Sequence, residues 1–77
     1  MNVEIEYCVP CGHLDRAITT QRELLETFGQ ELETVSLRTG EGGVFKIRIE
    51  GEQVLDAKQD GYDLGRIRKL VDDRLAA

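Results

Sequence analysis

Cys8 and Cys11 are the only cysteines in this 77-residue chain, separated by Val9 and Pro10, and the sole histidine, His13, lies two residues beyond them. Two thiols offset by three residues on the first turn of a helix share one face and come near enough for the geometry a disulfide requires. The pair can therefore open and close a bond locally. A helix N-terminus carries roughly half a positive charge, which lowers a thiol pKa and raises the thiolate fraction that attacks disulfides. Other chemistry is open to the same side chains. They can pack as inert small apolar groups, or Cys8, Cys11 and His13 can form a metal knuckle with Asp15 as fourth ligand. Structural zinc sites want four well-spread Cys and His ligands, and no second cysteine pair or distant histidine is present to complete one, so no metal and no cofactor is assigned. Gly12 between Cys11 and His13 excludes the c-type haem attachment motif. His13 reads most simply as an exposed first-turn residue, with a supporting role as imidazolium beside a thiolate or as a base in proton transfer. Tyr7 belongs with the core.

The elements that must position these residues follow from periodicity. Val3, Ile5 and Tyr7 alternate with Asn2, Glu4 and Glu6, a strand with one buried and one wet face that delivers Cys8 to its end. Leu14, Ala17, Ile18, Gln21, Leu24, Leu25 and Phe28 recur at helical spacing and Gly29 follows, so a helix is expected from about Pro10 to Phe28, with Pro10 in its first turn. A second alternating run through Val35 and Leu37 is expected to stop at a flexible loop, Thr39 to Gly43. Phe45, Ile47 and Ile49, then Val54, Leu55 and Ala57, make a hairpin about Gly51. Leu64, Ile67, Leu70, Val71 and Leu75 form the stripe of a closing helix with Asp63 as its N-cap. The order is βαβββα. A helical connection makes the first two strands parallel with a right-handed crossover. Since Glu4, Glu6, Lys46 and Arg48 cannot be buried unpaired at low cost, one sheet face is expected to be wet and both helices to cover the other. This is a two-layer α/β sandwich of one domain, residues 1–77, with a four-stranded mixed sheet.

Composition excludes several function classes. With 40% hydrophobic but only 5% aromatic residues the core is aliphatic and small, and a domain of this size buries only roughly 60% of its unfolded surface. Two cysteines three apart close too short a loop to be an effective staple, and they fall far below the density of secreted disulfide scaffolds. No basic and apolar leader precedes the first strand, and the expected location is the cytoplasm. No apolar run approaches the roughly 20 residues of a membrane span. Fifteen acidic against ten basic residues give a net charge of −5, which opposes the phosphate neutralisation on which nucleic-acid affinity rests. Neither nucleic acid nor membrane is expected as a partner. No Walker loop, G-x-S-x-G or H-E-x-x-H is present, and Asp60 and the Asp72-Asp73 pair read as turn and solvated surface.

Three segments together carry a resemblance: Tyr7-Cys8-Val9-Pro10-Cys11 after the first strand, Gly43-Val44-Phe45-Lys46-Ile47 opening the hairpin, and Asp60-Gly61 before the last helix. In this combination and at this length the chain resembles the selenoprotein W-related, or Rdx, family over nearly its whole extent, from Val3 to about Ala76. The resemblance implies a thioredoxin-like fold and a thiol–disulfide redox role for Cys8 and Cys11. Where selenocysteine-containing relatives hold selenium, this chain holds Cys11, which implies a dithiol centre that is slower and less easily reoxidised. Thioredoxins proper also place a cis-proline opposite the motif, whereas the single proline here is Pro10, inside it. Docking of a partner backbone then falls to the loop Thr39 to Gly43, with Gly42 and Gly43 permitting close approach. In thioredoxin-like sites the first cysteine is the exposed nucleophile, which favours Cys8; selenium placement in relatives points instead to Cys11.

The function expected is a thiol–disulfide redox protein acting on protein or low-molecular-weight thiols and disulfides. The alternatives are a noncatalytic interaction module whose surface the same cysteines switch, and a small metal-binding module.

Overall fold

A computed structural model describes residues 1–77. Apart from a short 3₁₀ turn over Gly29–Glu31, the elements in chain order are β1 (Asn2–Cys8), α1 (Leu14–Phe28), β2 (Thr34–Gly40), β3 (Phe45–Ile49), β4 (Glu52–Asp56), the single turn α2 (Ala57–Asp60) and α3 (Leu64–Ala76). The sheet order is β2-β1-β3-β4, with β1 parallel to β2 and antiparallel to β3. The expected βαβββα order and mixed four-stranded sheet are what the molecule has, with α2 as an addition.

Alternation decides the faces. Val3, Ile5 and Tyr7 of β1, Phe45, Ile47 and Ile49 of β3, Val35 and Leu55 are buried together with Ala17 and Leu24 of α1 and Ile67 and Val71 of α3, in one cluster. Both helices therefore lie on one face. On the other face Arg48 donates to Glu6 Oε1 at 2.8 Å and to Glu4 Oε1 at 3.0 Å, and Arg38 approaches Glu4 at 3.7 Å. The hydrogen bond and charge of Glu6 raise the Arg48 pKa above its ordinary value, against a smaller opposing effect of burial, so this cation stays charged at any physiological pH.

Caps and turns end the elements as their residues require. The backbone N–H of Gly29 donates to the carbonyl of Leu25 at the end of α1, and Asp63 accepts from the Arg66 N–H at the start of α3. In the β3–β4 hairpin Glu50 and Gly51 both have positive φ, 51° and 81°, the backbone of a tight two-residue turn whose twist matches the strands. Past the turn the register shifts so that Arg48 pairs with Gln53 while Ile47 pairs with Leu55, leaving Val54 as the extra residue of a bulge.

Two expected boundaries move. The first helix begins at Leu14, not near Pro10, because the chain between Cys8 and His13 is tied into a separate turn; Pro10 fits a turn as readily as a first helical position. The second strand continues through Gly40, and the loop that follows is shorter than expected. Gly40 reads as loop in the sequence but is needed in the strand for space: a Cβ there would lie 2.7 Å from Val44 Cγ1 and 3.0 Å from Glu6 Oε2.

Candidate functional site

The central strand β1 ends on Cys8, which pairs with Gly40 of β2, and the ladder continues one residue further through the Val9 N–H to the Gly40 carbonyl at 3.0 Å. From there the chain reverses. The Gly12 N–H donates to the Val9 carbonyl at 3.1 Å and the His13 N–H to the Cys8 carbonyl at 3.3 Å, with Gly12 at φ 76°, a conformation that favours glycine. Cys8 and Cys11 are joined by a disulfide across this turn, their Cα atoms 5.3 Å apart.

The two sulfurs have different surroundings. Cys8 is fully buried, whereas Cys11, Gly12 and the intervening Val9 and Pro10 are exposed. Access therefore favours Cys11: Cys8, expected to be the exposed cysteine, is the buried one. Neither cysteine sits within the first turn of α1, where His13 is the N-cap; the dipole effect falls off within that turn, so it acts on Cys11 more weakly than helical placement would give. No three His, Cys, Asp or Glu side chains are arranged to hold a metal ion, and the thiols a knuckle would use are joined to each other.

His13 is half-buried rather than exposed. Its ring stands edge-on to Phe45, centroids 6.3 Å apart, and its Nδ1 is buried with no hydrogen-bond partner. Phe45 meets Tyr62 edge-on at 5.4 Å, and the Tyr62 hydroxyl shares a 2.8 Å hydrogen bond with Thr20 Oγ1. Arg16 lays its guanidinium over both rings, 4.6 Å from Tyr62 and 5.5 Å from Phe45. Sequence reasoning missed this cluster. Arg16 in the first turn of α1 and His13 at its N-cap are three apart, but Tyr62 arrives from the loop before α3, and no local signal announces it.

The loop after β2 lies at the same end of the sheet. Val9, Pro10, Thr39, Gly40 and Glu41 line a shallow open groove, which brings the motif turn beside the start of that loop. Gly42 and Gly43 both have positive φ, and the Gly42 carbonyl accepts a 2.7 Å hydrogen bond from Lys58 Nζ of α2. That acceptor is engaged by the chain itself, while Gly42 remains exposed.

Known proteins share this fold. A protein from Bordetella parapertussis has a solved structure that superposes with a TM-score of 0.89 at 37% identity, over 95% of this chain and 95% of its own. A selenoprotein W-related protein from Vibrio cholerae superposes with a TM-score of 0.90 at 34% identity, over 96% of this chain and 95% of its own. No curated protein matches the chain. The family model described as the Rdx family matches residues 2–73, from the first residue of β1 into the last turns of α3. A match that takes in every strand, α1 and the disulfide turn identifies the chain as a member of the Rdx family.

Proposed function

We propose that this protein is a thiol–disulfide redox protein whose working group is the Cys8–Cys11 dithiol. The observation that carries the proposal is the disulfide between one buried and one exposed cysteine at the end of the central strand. Exchange proceeds by attack of a thiolate through a mixed disulfide, and access decides which sulfur takes part first.

In the reduced protein the Cys11 thiolate attacks a partner disulfide, bonding to one partner sulfur and releasing the other, which takes up the proton Cys11 gave up. The Cys8 sulfur then attacks Cys11, the protein disulfide closes, and the second partner thiol leaves with the Cys8 proton. Two electrons pass from the protein to the partner, and an external thiol reverses the sequence by attacking Cys11. Pro10 stiffens the turn that holds the sulfurs together, and His13 anchors its far side through the bond to the Cys8 carbonyl. Gly42 and Gly43 are the proposed docking backbone for larger partners. The proposed location is the cytoplasm, where a reducing thiol pool keeps such a pair cycling; no helix is long and apolar enough to cross a membrane.

Mixed-disulfide trapping tests the proposal. A Cys8→Ala protein keeps the accessible Cys11, cannot resolve, and is expected to accumulate covalent partner adducts. Cys11→Ala is expected to accumulate few. Absence of adducts from both, with each variant folded, would remove the proposal. Adduct formation without turnover in the presence of a reductant would make the protein a redox-switched binding module.

A further inference from the structure

Of the seven arginines in the chain, five meet carboxylates: Arg22, Arg38, Arg48, Arg68 and Arg74. Arg16 does not. It is half-buried, and two aromatic faces hold it instead, with Tyr62 and Phe45 at 4.6 and 5.5 Å. Those supports are fixed in turn, since Phe45 is almost fully buried and the Tyr62 hydroxyl is hydrogen-bonded to Thr20. The two ring planes stand at 89° to each other, so the planar guanidinium cannot lie flat on both; with no carboxylate partner in the chain, those of its five N–H donors that are not turned onto a ring are left for an acceptor. Such a fork matches a carboxylate with two parallel hydrogen bonds, and ring support means that little side-chain freedom is lost on binding.

Its position ties it to the sulfurs. Phe45, which lies under Arg16, also takes the edge of the His13 ring, and the His13 N–H is bonded to the Cys8 carbonyl. One ring therefore separates the guanidinium from the residue that closes the disulfide turn. We propose that Arg16 binds a carboxylate of the thiol or disulfide partner, and selects for partners that carry this negative charge near the reacting sulfur. The inference rests on the thiol–disulfide reading above and adds to it the charge of the substrate. It runs against the whole-molecule field, because a net charge of −5 by itself repels anionic partners and favours cationic ones.

Three small disulfides that differ in charge provide the test: anionic dithiodipropionate, neutral hydroxyethyl disulfide and cationic cystamine. Each is reacted with the reduced protein, and the rate of thiol release is measured at low salt. Wild type is expected to react with dithiodipropionate roughly fivefold faster, relative to a free dithiol standard, than with hydroxyethyl disulfide, the size that a partly exposed charge contact supports. Arg16→Gln should remove this preference and leave the neutral rate within about twofold. Arg16→Lys should keep part of it, and Arg66→Gln, which removes an exposed α3 charge that also lacks a carboxylate partner, should leave it unchanged. If Arg16→Gln fails to melt cooperatively, the wild-type ranking and its loss on raising salt decide the matter. A wild-type ranking of cystamine first, or equal losses in Arg16→Gln and Arg66→Gln, would overturn the assignment of Arg16 while leaving the dithiol chemistry intact. Failure of wild type to react with any of the three would overturn both.

Discussion

Cys8 and Cys11 share one bond but differ in exposure, and the difference has a measurable form once the bond is reduced. In Cys11→Ala the remaining thiol is fully buried and meets reagent only when the strand end opens locally, so alkylation by iodoacetamide should be on the order of tenfold or more slower than in Cys8→Ala, each ~1.4 kcal/mol of opening being a factor of ten. Equal rates would show that reduction releases the end of β1. The two cysteines and their pairing are legible in the sequence because spacing alone sets their reach. Which sulfur faces solvent is not legible, since it depends on how the turn packs against the end of β2. Arg16 and Tyr62 illustrate the same limit, forty-six positions apart in sequence and brought together by the placement of α1 and the loop before α3.

At the level of elements, alternation and capping foretold nearly everything that depends on near neighbours: four strands, two long helices, the Gly29 and Asp63 caps. The errors fall where one residue type serves two purposes. Pro10 suits a helix start and a turn alike, and glycine marks loops but also strands that are closely approached, as at Gly40. Two glycine substitutions separate these purposes. Gly51→Ala meets no atom within 4 Å, so its cost is conformational alone, about 1 kcal/mol for a left-handed alanine, seen as a drop in Tm of about 4–8 °C. Gly40→Ala is instead a steric change, with the new Cβ 2.7 Å from Val44 Cγ1. It should displace the loop after β2 and disturb amide shifts at Val9 and Val44, whereas Gly51→Ala should leave both unmoved.

The whole molecule is small enough for single core contacts to decide whether it folds. A chain of 77 residues has a total stability of about 4–12 kcal/mol at ordinary values per residue. Leu24→Ala, which empties the fully buried contact of α1 with the sheet, should cost about 3 kcal/mol and lower the urea midpoint accordingly. Removing the disulfide should cost less. Cross-linking a loop this short removes about 2 kcal/mol of unfolded-state entropy at most, so Cys8→Ala with Cys11→Ala should retain its far-UV spectrum and a cooperative melt; alanine avoids burying an unpaired hydroxyl at position 8. Loss of the cooperative transition would make the bridge a structural requirement. Within this frame the hydrogen bonds at the end of β1 have a consequence for what a partner meets. Cys8 is clamped in the ladder beside Gly40, whereas Cys11 hangs from a turn held by the Gly12 and His13 N–H groups, so one jaw of the latch is anchored and the other swings. Reduction should then speed deuterium uptake at Gly12 and His13 while the amides of Ile5 and Tyr7 keep their protection, and the redox state of the protein becomes a change in the outline of four exposed residues, recorded there and nowhere else in the sheet.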